Sequence, residues 1–461
     1  MKVYLETIGC QMNRLDSELV AGLLRACGHE IVPDRREADV VLYNTCSVRQ
    51  HAEDKVYSRL GADGRRKSTH RPKLIIGVLG CMAQREGQNL RRRCPQVDIV
   101  CAPGQLVHLP ELIASAAEGR PAVALDPPRK SRRAGPPVGD IDALDLGRDP
   151  QATPTPFQAY VRVMRGCDKF CSFCVVPFVR GPEASRDPTH VVEEARRLVD
   201  AGRSEITLLG QTVNSYRWRA GELEVRFSDL LGRLAGIAGL RRLRFITSHP
   251  IDFGDDILEA MRDLECVCEY IHCPAQSGSD AVLKRMNRRY TRAEYDCLVD
   301  RAQDIVPGVV LAGDFIAGFP GETEDDHAAS AELIRRCGYK NSFIFKYSPR
   351  PGTAAARRFR DDVPQAVKKR RNNELLAVQS EVGLAHHSAY VGRRVEVLVE
   401  GPSKRADKQA APPSPESMQL TGRTRWDHIA VFDGPEGLAG RYVYVDVTGA
   451  TDLVLVGRLS G

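Results

Sequence analysis

The chain has 461 residues, 42% of them hydrophobic, and a formal net charge of +6. That is material for roughly three domains. No apolar run reaches the roughly 18 residues a membrane helix needs, and the start Met1-Lys2-Val3-Tyr4-Leu5-Glu6 does not read as a signal peptide, so a cytoplasmic location is expected.

Residues 1–118 predict one α/β unit. Strands are expected at 3–8, 38–43 and 74–79, with a helix over 16–26 that ends near Gly28. Continuous apolar runs of this length suit a parallel sheet covered on both faces. Residues 119–152 are rich in Pro and Arg, including Pro127-Pro128, Arg129-Lys130-Ser131-Arg132-Arg133 and Gly135-Pro136-Pro137, and predict a linker. From 153 to 386, strand patterns at 158–164, 205–209, 242–247, 269–273, 309–316 and 342–347 alternate with helix patterns at 189–201, 228–238, 254–264, 291–305 and 324–337. Asp187-Pro188 offers an N-cap with proline behind it, and Thr291 with Glu294 is spaced as a capping box. Six such units predict a partial (β/α)6 barrel with its site at the carboxyl ends of the strands. Residues 357–385 read as a basic helix. Residues 387–460 read as a small all-β barrel. The fold class is therefore α/β: an open parallel sheet, a partial barrel and a small β-barrel.

Fourteen cysteines without a signal peptide point to metal or catalysis rather than disulfides. Cys167, Cys171 and Cys174 form a C-x3-C-x2-C array directly after the first barrel strand. Three thiolates on one loop hold three irons of a cubane and leave the fourth iron open. A structural zinc site wants a fourth Cys or His at short spacing, and none stands there. Cys10, Cys46 and Cys81 each follow a strand of the first unit. Ligand sites lie at such strand ends, yet free cysteine is also a common core residue. Position alone leaves both readings open.

The array Cys167–Cys174 resembles the radical S-adenosylmethionine (SAM) superfamily. Over nearly its full length the chain resembles the methylthiotransferases of that superfamily, nearest the tRNA-2-methylthio-N6-dimethylallyladenosine synthases. The resemblance rests on Gly9-Cys10-Gln11-Met12-Asn13, Asn44-Thr45-Cys46-Ser47-Val48-Arg49 and Gly80-Cys81. It continues through Val175-Val176-Pro177, Arg180-Gly181, Leu209-Gly210-Gln211-Thr212-Val213-Asn214, Thr247-Ser248-His249-Pro250 and Gln276-Ser277-Gly278-Ser279. It ends with Gly318-Phe319-Pro320-Gly321-Glu322-Thr323 and Arg350-Pro351-Gly352-Thr353. His272-Cys273-Pro274-Ala275 departs from the family's usual His-Leu-Pro-Val.

The resemblance implies two 4Fe–4S clusters, one on Cys167, Cys171 and Cys174 and an auxiliary one on Cys10, Cys46 and Cys81. It implies that SAM chelates the open iron and yields a 5′-deoxyadenosyl radical, that a second SAM supplies the methyl group, and that the auxiliary cluster delivers sulfur. The target is C2 of N6-isopentenyladenosine beside the tRNA anticodon. Related enzymes modify threonylcarbamoyladenosine or a ribosomal-protein aspartate. The domains become a methylthiotransferase domain (1–118), a radical SAM core (153–386) and a TRAM-like RNA-binding barrel (387–460). A flavodoxin-type electron donor, no membrane partner and a monomeric state complete the expectation. A non-catalytic, metal-stapled RNA-binding protein is the reading of another class; it leaves the six βα units unexplained.

Strand-end residues Gln211, Asn214, Ser248, Gln276 and Ser277 are candidates for holding SAM, with Asp314 and Gly318–Gly321 nearby in the pattern. No catalytic residue is expected beyond the cluster ligands. For RNA, residues 357–371 and 59–73 each carry a net charge of +5, and Arg423-Thr424-Arg425 stands beside Trp426 with Lys404-Arg405-Ala406-Asp407-Lys408 upstream. Such stretches grip phosphates or stack bases, although a solvated helix face is the commoner use of any one run. Cys266, Cys268 and Cys273 read as buried structural residues, and no role is assigned to Cys27, Cys94, Cys101, Cys297 or Cys337.

Overall fold

The computed structural model describes residues 1–47, 50–127, 142–153, 155–403 and 418–460. The predicted basic runs at 129–133 and 404–408, and the motif residues Val48 and Arg49, lie outside them. The described chain forms two compact units, Met1–Arg226 with Ile237–Gly239 and Arg350–Ala354, and the remainder. The division falls inside the segment predicted as one core.

The first unit opens with six strands: β1 (Lys2–Ile8), β2 (Glu30–Ile31), β3 (Val40–Thr45), β4 (Ile75–Gly80), β5 (Ile99–Cys101) and β6 (Ala122–Ala124). They form one parallel sheet in the order β2-β1-β3-β4-β5-β6. Strand side chains alternate between faces, and both faces are apolar here. Val41, Tyr43, Ile76 and Val78 enter one core and Val40, Leu42, Ile75 and Leu79 the other. The continuous apolar runs in the sequence come from this double burial.

The first helix spans Gln11–Ala26 and so starts five residues before the predicted 16. Its N-cap is Cys10, with Asn13 completing a capping box; cysteine is not a residue that signals a helix start. After it come β7 (Gln158–Arg162), β8 (Met164–Arg165), β9 (Ala184–Ser185), β10 (Glu205–Leu209) and the hairpin β11 (Arg217–Ala220) and β12 (Leu223–Arg226). Strands β7 and β10 pair in parallel across the helix Pro188–Asp200, which Asp187 caps as predicted.

In the second unit, β13 (Arg242–Phe245) precedes β14 (Tyr270–His272), β15 (Val310–Ala317) and β16 (Asn341–Lys346). The last three form a parallel sheet in that order. Thr291 and Glu294 make the predicted capping box of the helix Arg292–Ile305. The predicted helix 357–385 is two helices, Ala354–Arg358 and Gln365–Ser388. Pro364 divides them: it has no N–H to continue a helix, and it stands as N-cap of the second. The closed barrel runs β17-β18-β19-β21-β20, from β17 (Arg394–Pro402), β18 (Met418–Thr424), β19 (Ile429–Gly434), β20 (Tyr442–Ala450) and β21 (Val454–Leu459). The sequence reading gave no strand at β18 or β21; in β18 the buried alternate positions include Gly422 and Thr424, which carry no apolar signal. Among the described residues no helix is long and apolar enough to cross a membrane.

A histidine cluster joins the helix Gln365–Ser388 to the barrel. His386 Nε2 lies 2.9 Å from His428 Nε2, and Tyr390 packs on His428 at 4.5 Å between ring centroids. Burial first, then the charges of His387 and Lys340, draw His386 from 6.5 to about 4; burial and Lys340 draw His428 to about 2, against the opposing charge of Asp427. The folded state therefore holds these rings neutral. Its stability is full above pH 6.5 and falls as the pH drops from there toward about 4. The expected loss for the wild type is on the order of 2 kcal/mol, after allowing for the partial exposure of His386. Urea denaturation of the wild type and of His386→Asn at pH 7 and pH 4.5 checks this. The variant should lose the smaller share of its stability on acidification.

Candidate functional site

The register of the first sheet sets three cysteines at neighbouring strand ends. Ile8 of β1 pairs with Thr45 of β3, and Thr45 with Gly80 of β4. Cys10, Cys46 and Cys81 follow within two residues of those aligned ends. The Cys46 amide donates to the Ile8 carbonyl (3.1 Å). Asn13 and Asn44 lock the ends together: Asn13 Nδ2 donates to Asn44 Oδ1 (3.0 Å), and Asn44 Nδ2 donates to the Asn13 carbonyl (2.9 Å). Gly80 has φ +88°, and a Cβ there would lie 2.5 Å from Asn44 Oδ1. Only glycine fits that turn and that approach.

Cys46 and Cys81 are buried, whereas Cys10 has an exposed edge within dense surroundings. A hydrogen bond from Cys46, aided by the charge of Arg180, outweighs burial and draws the Cys10 thiol down to about 6. Burial pushes Cys81 up, against the opposing charge of Arg180. Arg180 Nε donates to Cys81 Sγ at 3.3 Å, and Arg180 Nη2 donates to Asp16 Oδ2 at 2.8 Å. Asp16 also accepts from Arg162 (2.8 Å), whose other side pairs with Asp145.

The second triad sits on the loop after β8. Gly166 has φ +72°, and a Cβ there would come within 1.8 Å of the Pro182 carbonyl oxygen. The turn into Cys167 therefore requires glycine. The Cys167 amide donates to the Gly181 carbonyl (3.3 Å) and that of Cys174 to the Cys171 carbonyl (3.0 Å). The Val176 amide donates to Cys174 Sγ (3.4 Å). Burial pushes Cys167 well up, and the neighbouring Cys174 and Cys171 add to this. A buried thiol such as Cys167 gains from a cation that keeps it deprotonated.

The two triads adjoin. Val175 and Val179, directly after Cys174, pack with Cys81 in one apolar cluster, and Arg180 reaches the same sulfur. The seven-residue segment from Cys174 to Arg180 thus touches both sets. Among the described residues no group of three or more His, Cys, Asp or Glu is drawn in round a single metal ion. A cubane asks something different: each thiolate takes its own iron at a separate corner. Two sets of three thiols, one on a loop and one at aligned strand ends, fit that group.

Gln211, at the end of β10, has both amide atoms buried without a partner, and Ser248, past β13 in the second unit, has a buried hydroxyl likewise unpartnered. An orphaned polar group at a strand end, in either unit by itself, fits a polar ligand. Asn214 is buried. Gln276 takes φ +72°, its amide donating to the Asp314 carbonyl (2.7 Å). Ser277 lies with its hydroxyl near Ser330 Oγ (3.4 Å) and accepts from the Ser279 amide (3.2 Å). The loop Gly318–Gly321 is held by Glu322, which accepts from the Gly318 amide (2.9 Å).

Part of the basic stretches is spent on intramolecular contacts. Arg425 pairs with Glu269, and Arg423 with Glu400 and Asp427. Arg242 and Arg244 donate to the carbonyls of Arg423, Thr424 and Arg425. Trp426 packs against the Tyr270–Val310 cluster, not outward as a stacking surface. In 357–371, Lys368 is fully buried with Asp361, and Arg371 is buried against Glu322 and Glu324. Arg357, Arg358, Arg360 and Lys369 stay exposed there, as do Arg65 and Lys73 in 59–73. Asp16, Arg162 and Arg165 had no place in the sequence reading, because nothing local marks a charge as buried.

Residues 2–102 match the uncharacterized protein family UPF0004, and residues 161–334 match the radical SAM superfamily. The tRNA-2-methylthio-N(6)-dimethylallyladenosine synthase of Rhodopirellula baltica is 49% identical over 461 residues, spanning 99% of this chain and 95% of that protein. The protein of the same name from Moorella thermoacetica is 41% identical, spanning 98% and 97%. Among solved structures, the radical SAM methyltransferase TsrM from Kitasatospora setae, with tryptophan substrate and a SAM analogue bound, matches with a TM-score of 0.53 at 17% identity. That match covers 77% of this chain and 75% of the other, and it is a likeness of fold.

Proposed function

The chain belongs to the tRNA-2-methylthio-N(6)-dimethylallyladenosine synthases of the radical SAM superfamily, and from that premise we propose that it adds a methylthio group to C2 of N6-isopentenyladenosine beside the tRNA anticodon. The observation that carries the reading is the juxtaposition of two cysteine triads through the segment Cys174–Arg180. One triad suits a radical generator and the other a sulfur source, and the transfer needs both within reach.

The enzyme uses SAM and 4Fe–4S clusters. Cys167, Cys171 and Cys174 are the proposed ligands of one cluster, and Cys10, Cys46 and Cys81 of the other. Bound at a cluster held by Cys167, Cys171 and Cys174, SAM would supply a primary carbon radical able to take the C2 hydrogen of adenine, which is neither acidic nor open to attack. The chain's own part is to bind, orient and exclude water. Gly166 and the Gly181 carbonyl fix the first loop. The Asn13–Asn44 pair fixes the second set of strand ends. Gln211 and Asn214, and on their own strand ends Ser248, Gln276 and Ser277, are the proposed SAM contacts. The proposed domains are 1–118, 153–386 and 387–460 about a linker at 119–152. A flavodoxin-type donor, a monomeric state and a cytoplasmic location fit this role.

Replacing Cys10, Cys46 and Cys81 together by alanine separates the two roles. After anaerobic reconstitution the variant should hold about half the iron of the wild type. It should still make 5′-deoxyadenosine and yield no methylthiolated tRNA. Full iron, or methylthio product at the wild-type rate, would remove the auxiliary site from the account.

A further inference from the structure

We propose that Arg180 is a positioning residue for an anionic sulfur ligand, sulfide or methanethiolate, at the Cys10–Cys46–Cys81 site. The inference rests on the reading of that site as a second cluster. Arg180 is buried, 5% exposed, and its guanidinium nitrogens face three different fates. Nε donates to Cys81 Sγ at 3.3 Å. Nη2 donates to Asp16 Oδ2 at 2.8 Å. Nη1 is buried with no hydrogen-bond partner among the described residues. A guanidinium has donors only, and a buried donor without an acceptor is costly unless the acceptor arrives with a ligand.

The surrounding charge points the same way. Asp16 is shared between Arg180 and Arg162, and Arg162 also pairs with Asp145. Arg165, also buried, adds a third guanidinium whose hydrogen bond goes to the Pro103 carbonyl and not to a carboxylate. Arg180 donates to Cys81 Sγ, and Asp16 is its one ion-pair partner among the described residues. Positive charge is thus gathered against thiols that neutral S–H groups would leave uncompensated. Thiolates with a further anionic sulfur beside them would balance it, and a sulfur anion accepts from Nη1. The backbone holds the group in place: the Arg180 amide donates to the Val176 carbonyl at 2.9 Å, within the turn that follows Cys174. Arg180 therefore sets the position of the sulfur that is to be transferred, on the side of the site nearest the radical-generating loop.

The test uses the full chain with Cys167, Cys171 and Cys174 replaced by alanine, so that only the auxiliary cluster reports. In that background, Arg180→Gln and Arg180→Lys are compared after anaerobic reconstitution by iron content, by the midpoint potential in an EPR-monitored titration, and by methanethiolate affinity from the EPR shift. R180Q is expected to keep its iron, to shift the midpoint negative, and to bind methanethiolate about tenfold or more weakly. R180K, which keeps the charge, should recover part of both changes. Unchanged affinity and potential in an iron-loaded R180Q would overturn the proposal; an ordered water on Nη1 would give that result. Loss of iron from both variants with an unchanged far-UV spectrum would also overturn it, since Arg180 would then build the site and not face its ligand. No iron in the parent background would instead refute the second cluster itself.

Discussion

The triple variant Cys167→Ala, Cys171→Ala, Cys174→Ala is expected to make no 5′-deoxyadenosine, to hold about half the wild-type iron, and to stay folded. The three parts of that result have separate causes. Activity vanishes because no other thiolate set stands on this loop. Iron is halved because Cys10, Cys46 and Cys81 lie on strand ends that the substitutions do not touch. The fold persists because the loop's path is set by Gly166 at φ +72°, by the Gly181 carbonyl and by the pairing of β8 with β9, none of which needs a thiol. Cys171 and Cys174 are only half-buried, so truncation there leaves little cavity. A stability loss under about 2 kcal/mol is expected. Iron analysis, product chromatography and thermal unfolding measure the three parts. Detectable 5′-deoxyadenosine above the no-enzyme level would contradict the ligand assignment.

Asp16→Ala is expected to be the most destabilising single change in the first unit. Asp16 is fully buried on the helix Gln11–Ala26 and accepts from both Arg162 and Arg180 at 2.8 Å. Burial alone would raise its carboxyl; the guanidinium groups of Arg180 and Arg162 overcome that and hold it below the usual range. Alanine leaves Arg162 its contact with Asp145 but takes from Arg180 its only ion pair among the described residues. Removing one partner of a buried pair costs about 3–5 kcal/mol. Urea denaturation measures this, and Asp16→Asn, which keeps the shape and loses the charge, should fall between. A loss under about 1 kcal/mol would mean that the ion pairs contribute little.

Much of this was legible in the sequence, for identifiable reasons. The strands that lead to Cys46 and Cys81 are buried on both faces, so their apolar runs and ends stand out. The C-x3-C-x2-C loop carries its own spacing. What stayed hidden depends on partners far along the chain. Arg425 looks like an RNA contact until Glu269, 156 residues away, is seen to hold it. Arg162 and Asp16 are 146 residues apart, and neither segment marks its charge as buried. Arg180 was part of a motif, but its contact with Cys81 spans 99 residues and follows from tertiary structure alone. The first helix was placed late because a cysteine, not a serine or aspartate, caps it.

The central claim is tested most directly by incubating the purified, reconstituted protein with isopentenylated tRNA, SAM, sulfide and a reductant, and then digesting the tRNA for mass spectrometry of its nucleosides. The expected result is conversion of N6-isopentenyladenosine to a species heavier by one methylene and one sulfur, with 5′-deoxyadenosine formed alongside. Unchanged isopentenyladenosine, with the same gain appearing instead on threonylcarbamoyladenosine in a matched tRNA, would contradict it.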